Sequence, residues 1–167
     1  MDAIKGKRIV YLYRIYSKGT SETGATLAFT TENTKTISKD AETTVTKDGT
    51  IRTPGDAEIE LSMTSLLAKG DKMVKNLRDA MLNDELIEVW EANLDDPVAD
   101  KENKFNGTYY QGYLTSMETS ANAEDFVEIS MDIGVNGTGA DGEVTVTDEQ
   151  QEAALYVFSD TTLRTGA

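Results

Sequence analysis

Residues 107–135 read GTYYQGYLTSMETSANAEDFVEISMDIGV, and their pattern decides the fold class. In the second half Val127, Ile129, Met131, Ile133 and Val135 share one parity, and Glu128, Ser130, Asp132 and Gly134 share the other. Side chains of a strand alternate between its faces, so this is a strand with one apolar and one acidic polar face. The first half predicts a second strand, with Tyr109, Tyr113 and Met117 on one parity and Tyr110, Leu114 and Ser116 on the other. Between them residues 119–124 (TSANAE) are small, polar and aperiodic, which predicts the turn of an antiparallel pair. The apolar face needs a core beneath it. The acidic face looks at water or at something charged.

Composition narrows what that can be. A chain of 167 residues suits one well-cored domain, and 38% hydrophobic with 28% charged residues is a globular mixture. No stretch approaches the roughly 20 apolar residues of a membrane span, and residues 1–8 are polar, so neither a span nor a signal peptide is expected. The chain holds no cysteine and no histidine. Disulfides and thiolate chemistry are thereby excluded, together with the commonest general base and the commonest transition-metal ligand. The net charge is −14, from 30 acids against 16 bases. Such a field disfavours binding to phosphate backbones, although a wall past which DNA must slide without sticking would carry the same sign.

Outward from the central pair, residues 4–16 (IKGKRIVYLYRIY) place Ile9, Tyr11, Tyr13 and Ile15 on one parity and Val10, Leu12 and Tyr16 on the other. That predicts a strand buried on both faces. Residues 25–29 predict a short strand, and residues 33–40 a polar one around Ile37. Residues 43–53 (TTVTKDGTIRT) are symmetric about Lys47-Asp48-Gly49, and Asp-Gly between β-prone arms is a strong hairpin signal because the turn needs positive φ. With only Val45 and Ile51 as large apolar residues, this hairpin is expected to protrude, either solvated or against a partner. Pro54-Gly55-Asp56 predicts a turn, and residues 57–63 a strand with Ala57, Ile59, Leu61 and Met63 inward.

Residues 70–83 form the clearest helix, with Asp71 as N-cap and a stripe of Met73, Val74, Leu77, Met81 and Leu82. Residues 85–94 predict a strand. The loop at 95–106 offers Asp95, Asp96, Asp100, Glu102 and Asn103 as conceivable hard-cation ligands, but without the spacing of an EF-hand. Residues 136–142 (NGTGADG) predict a flexible linker, followed by a short strand at 143–146. Thr147 to Gln150 matches a capping box, so a short helix is expected from Asp148 to about Val157. Leu155, Tyr156, Val157 and Phe158 form a late apolar cluster that either docks on the body or reaches a neighbour. The expected organisation is a β domain over residues 1–135, then a Gly-rich linker and C-terminal arm over 136–167. The fold class is mainly β, a sandwich or barrel-like form with one flanking α-helix and a short C-terminal helical appendage.

Chemistry is scarce. Without histidine or cysteine no catalytic triad is possible, and no glycine-rich phosphate loop is present. Carboxylate pairs such as Glu58 with Glu60, Glu88 with Glu91, or Glu128 with Asp132 would suit a glycosidase, but each lies on an alternating strand face expected to be solvated. No catalytic residue, metal or cofactor is assigned.

Taken in order, the early strand, LAFTTENTKTISKD followed by KDGTIRTPGDAEIELS, the single helix, the WEANL strand and the segment from GTYYQGY to GEVTV resemble one family over nearly the whole chain. That family is the major tail proteins of long, flexible-tailed bacteriophages, particularly the lactococcal-phage type. The resemblance implies a β-sandwich or barrel-like subunit, six copies closing into a ring, and rings stacking into a virion tail tube that conducts DNA. It implies as partners further copies of the chain, a tape-measure protein, and terminator and distal tail proteins. On that reading Glu58, Glu60, Glu128, Ser130 and Asp132 are candidates for the lumen, or else they face outer solvent. Val45, Lys47, Asp48, Gly49 and Ile51 are candidates for an inter-ring hairpin, and Leu155, Tyr156, Val157 and Phe158 for a terminal contact. The reading from a different class is a monomeric β-sandwich binding or adhesion module for carbohydrate or a surface. It would need exposed coplanar aromatics, whereas Tyr11, Tyr13, Trp90 and Tyr109 fall within strand patterns.

Overall fold

The computed structural model describes residues 1–155. Most of them belong to one six-stranded antiparallel sheet. Its strands are β1 (Ile9–Ile15), β2 (Thr30–Thr46), β3 (Gly49–Leu66), β4 (Ile87–Pro97), β5 (Lys104–Ser120) and β6 (Glu128–Thr145), in spatial order β1-β4-β5-β6-β3-β2. The helices are α1 (Lys72–Leu82) and α2 (Asp148–Leu155).

One face of the sheet and α1 enclose the main core. Tyr13, Leu61, Leu77, Ile87, Val89, Met131 and Ile133, all nearly or fully buried, meet there from β1, β3, β4, β6 and the helix. The sheet curls around this core until side chains bridge its two edges: the Tyr13 hydroxyl on β1 donates to Asn33 Oδ1 on β2 at 3.4 Å. The opposite face carries a second cluster of Val10, Leu12, Ala92, Leu94, Phe105, Val144 and Val146. Hence β1 is buried on both faces, as its β-branched and aromatic sequence predicts.

The local signals explain most boundaries. The Asp71 carboxylate accepts from Met73 N at 2.9 Å, capping α1. The β2–β3 hairpin turns at Lys47-Asp48, with Thr46 opposite Gly49, whose φ is +126°. Thr147 Oγ1 accepts from Gln150 N at 3.3 Å while Gln150 Oε1 accepts from Thr147 N at 3.0 Å, a complete capping box for α2.

Five expectations are corrected. The Gly-rich stretch 136–142 is no linker: it lies inside β6, paired with β5 through Asn136–Gln111 and Ala140–Tyr109. Between those pairs β6 holds residues 137–139 against a single β5 residue, and Gly137 and Gly139 adopt φ of +69° and +80° to make that bulge. Pro54-Gly55-Asp56 is likewise strand rather than a turn: Pro54 pairs with Ala41, and Gly55 and Asp56 form a bulge against Asp40 before the Lys39–Ala57 pair. Residues 25–29 contribute one bridge, Ala25 to Tyr13, and no strand. Met117 packs on the core while Tyr113 is exposed, because a register shift between Leu114 and Ser116 reverses the alternation. Leu82, assigned to the apolar stripe of α1, is 73% exposed, and Ala80 is buried instead.

Candidate assembly surfaces

The pairing register gathers the acidic candidates onto one surface. On the face of β3 and β6 turned away from the core, Glu60 lies opposite Gly134, Ser62 opposite Asp132, and Thr64 opposite Ser130. Neighbouring β2 adds Glu32, Thr34, Thr36 and Ser38, the last opposite Glu58; β5 adds Ser116, Glu118 and Ser120. Glu58, Glu60, Glu128, Ser130 and Asp132 therefore share a continuous four-stranded face. Glu32 and Glu118 join them, and no Lys or Arg occupies the register positions between. The sequence could not reveal those two acids, because their place depends on which strands pair. Short hydroxyls fill the gaps: Ser62 Oγ donates to Asp132 Oδ1 at 2.6 Å, and Thr64 and Ser130 hydroxyls lie 3.4 Å apart. Such a face has little to grip a phosphate and much to repel it.

The carboxylate pair Glu88 and Glu91 is neither solvated nor convergent, contrary to expectation. The two point to opposite faces of β4. Glu88, 3% exposed, takes Arg14 Nη2 at 2.6 Å, and the Arg14 guanidinium lies 4.9 Å from the Trp90 ring centroid. Trp90 and Tyr109 are tilted by 39°, so they make no coplanar platform, and Arg14 covers one ring. Glu91 lies on the core side, where it accepts from the Tyr11 hydroxyl and from Lys35 Nζ. Burial and then the Glu91 carboxylate push the Tyr11 phenol well above its usual range. Burial pulls the Lys35 ammonium down, but the hydrogen bond and charge of Glu91, joined by Tyr110, together outweigh that and hold it above the ordinary lysine value.

The hairpin candidates Val45, Lys47, Asp48, Gly49 and Ile51 sit at the far end of β2–β3, exposed throughout. Val45 is 82% and Ile51 57% exposed. Val45 pairs with Thr50 and Ile51 with Thr44, so the two apolar side chains occupy opposite faces of the ribbon. Of the terminal candidates, Leu155 ends α2, and Tyr156, Val157 and Phe158 lie outside the described residues. The start of α2 does dock on the body: Gln150 Nε2 donates to Gly24 O at 3.2 Å and Gln151 Nε2 to Asn103 Oδ1 at 2.9 Å. The loop expected at 95–106 is shorter than that, because β4 runs to Pro97 and β5 starts at Lys104. Asp95 and Asp96 lie at the end of β4, where Asp95 pairs with Arg8 at 2.7 Å and Asp96 accepts from Asn106 of β5 at 3.0 Å. Among the described residues no group of three or more acidic side chains is placed to hold a metal ion, and no helix is long and apolar enough to cross a membrane.

Comparison with known proteins adds family and fold. A family model described as phage tail tube protein matches residues 3–141. A chain of Staphylococcus phage phiMR25, named as a tail protein, is 30% identical over 153 residues, covering 89% of this chain and 79% of its own length. The tail tube protein gp17.1* of Bacillus phage SPP1 is 26% identical over 147 residues, 88% of this chain and 54% of its own, so this chain spans about half of that relative. Among solved structures, the SPP1 tail tube superposes with a TM-score of 0.72 at 21% identity, over 98% of this chain and 91% of that one. The tail of an empty gene transfer agent particle, refined with C6 symmetry, gives 0.63 at 14% identity, over 83% of this chain and 98% of that one.

Proposed function

The chain belongs to the phage tail tube protein family, as a structural protein of a long-tailed phage virion and not an enzyme, and from that premise we propose that six copies close into a ring. The rings stack into a tube, and the acidic face of β2, β3, β6 and β5 lines a lumen through which DNA passes without specific binding. The observation that carries this reading is that face itself: Glu32, Glu58, Glu60, Glu118, Glu128 and Asp132 on four adjacent strands, without an intervening base. A ring repeats it six times around one axis, where fixed negative charge repels phosphate most strongly in a confined channel.

The edges support closure. Among the described residues the outer edges of β1 and β2 pair with no further strand apart from the Tyr13–Ala25 bridge, and pairing them between neighbours removes the edges that an isolated sheet must protect. The six-fold number is supported by the C6 symmetry of the gene transfer agent tail. The hairpin with Val45, Lys47, Asp48, Gly49 and Ile51 reaches the next ring, and Leu155 to Phe158 provide a second contact. Copies are made in the host cytoplasm and meet a tape-measure protein, a terminator and distal tail proteins. A carbohydrate-binding reading has no support from Trp90 and Tyr109, whose rings are tilted and partly covered by Arg14.

The test is light scattering with negative-stain electron microscopy on purified protein across a concentration series. Hollow tubes or six-membered rings are expected, and deletion of residues 43–53 is expected to leave rings that do not stack. A monomer at every concentration, also in the presence of the tape-measure protein, would overturn the proposal.

A further inference from the structure

At the end of the sheet opposite the hairpin, three large apolar side chains stand in solvent: Phe29 at 68%, Leu67 at 45% and Phe126 at 80% exposed. The backbone ties them together. Leu66 N donates to Phe29 O at 3.1 Å and Leu67 N to Val127 O at 2.8 Å, so the starts of β2 and β6 and the end of β3 hold all three at one rim. Phe29 even adopts a φ of +51°, a left-handed conformation uncommon for an aromatic residue. Isolated exposed apolar residues need no explanation, but a group held at one rim of a subunit marks a contact surface.

The same chain carries what fits it. Strand β3 runs from Gly49 at the hairpin turn to Leu66 at this rim, a span of about 55 Å at the rise of an extended strand. Val45 and Ile51 therefore cannot reach the rim of their own subunit, yet both are exposed. The charges are complementary as well. Residues 43–53 hold Lys47 and Arg52 against Asp48 alone, whereas residues 119–128 beside Phe126 hold Glu124, Asp125 and Glu128 with no base. The base nearest in sequence to Leu67 is Lys69, on the adjoining connection. In a chain of net charge −14, a basic tip meeting an acidic rim is a pairing that mutual repulsion does not oppose. Contact between two different surfaces of identical chains, placed at opposite ends, propagates as an open stack rather than closing.

We propose that Phe29, Leu67 and Phe126 are the seat for the 43–53 hairpin of a second copy of this chain in the adjoining ring. The inference rests on the tube reading and names the surface that receives the hairpin. Because Val45 and Ile51 lie on opposite faces of the ribbon, one of them packs on the rim and the other remains for a further neighbour.

The native chain has no cysteine, so single introduced thiols report position without background. Phe126→Cys protein is mixed with Val45→Cys or with Ile51→Cys protein, assembled, imaged, and treated with a short bismaleimide. Leu82→Cys, equally exposed on α1, serves as the control partner. Cross-linked heterodimers joining residue 126 to 45 or 51, identified by mass spectrometry and absent with Leu82→Cys, are expected wherever tubes are seen. Phe126→Glu is expected to retain rings and lose stacking. Tubes without either cross-link above the control would overturn this docking site and leave the tube reading intact. Failure of the native chain to assemble under any condition would remove both.

Discussion

Lys35 Nζ lies 2.8 Å from Glu91 Oε1, joining β2 to β4, strands that are not neighbours in the sheet. The bond exists because the sheet curls, and it helps to hold that curl. Glu91 also accepts from the Tyr11 hydroxyl, so one carboxylate on β4 gathers both edge strands, β1 and β2. Replacing Glu91 with Ala strands a largely buried phenol and a lysine, and is expected to cost about 1–3 kcal/mol. Replacing Lys35 with Ala is expected to cost less, about 1 kcal/mol, since its side chain is 30% exposed and Glu91 keeps Tyr11. Urea unfolding checks both: the midpoint falls while the slope is unchanged.

The same cluster predicts an alkaline limit to stability. Tyr11 and Lys35 both hold their protons more tightly when folded than the ordinary values of 10.0 and 10.5. The folded state then binds more protons than the unfolded one above about pH 10, so stability is fully present below that range and is lost as pH rises through the folded values. Thermal melts between pH 8 and pH 11 are expected to show this fall, and a shallower one in Glu91→Gln, whose amide lacks the charge that adds to burial in holding the Tyr11 proton and that holds the Lys35 proton against burial.

These devices were only partly legible in the sequence. The alternation from Val127 to Val135, the Asp-Gly hairpin, the Asp71 cap and the Thr147 capping box all act through residues close in the chain, and each reads directly. What sequence conceals is register. The bulges at Gly137–Gly139, at Gly55 and between Leu114 and Ser116 each displace a strand against its partner, so a Gly-rich linker and a Pro-Gly turn become strand and Met117 changes side. The acidic face was half visible for the same reason, since Glu32 and Glu118 enter it only through pairing with β3 and β6. Lys35 at the seam has no sequence signature at all, because its partner is 56 residues away.

The β6 bulge gives a graded test of backbone chemistry. A Cβ at Gly139 would lie 2.7 Å from the Tyr110 ring, on top of a φ of +80°, whereas Gly137 has the positive φ and open space around it. Gly137→Ala is therefore expected to cost about 1–2 kcal/mol from the left-handed backbone alone, and Gly139→Ala distinctly more. Equal losses at the two sites would mean that the Tyr110 ring yields freely.

Neighbouring positions on β3 separate the core from the acidic face. Leu61, 1% exposed, sits in the main core, and Leu61→Ala is expected to cost about 2–5 kcal/mol. Glu60, next to it but outward, is expected to change stability by no more than about 0.5 kcal/mol when replaced by Gln. A large loss at Glu60 would show that the acidic face is structural and would take away the reason for treating it as a functional surface.

The lumen assignment is testable by reversing its charge. Glu58→Lys, Glu60→Lys and Glu128→Lys together place bases on the outward faces of β3 and β6 without touching Leu61, Met63, Ile129 or Met131 beneath. If that face lines the channel, variant tubes are expected to retain short duplex DNA inside the wall at low salt and release it as salt rises. Screening shortens to about 8 Å at physiological ionic strength and bound counterions compete. Native tubes are expected to retain none. The location of the DNA decides the matter: density within the channel supports the lumen, whereas DNA coating the outside of variant tubes would place these carboxylates on the outer wall.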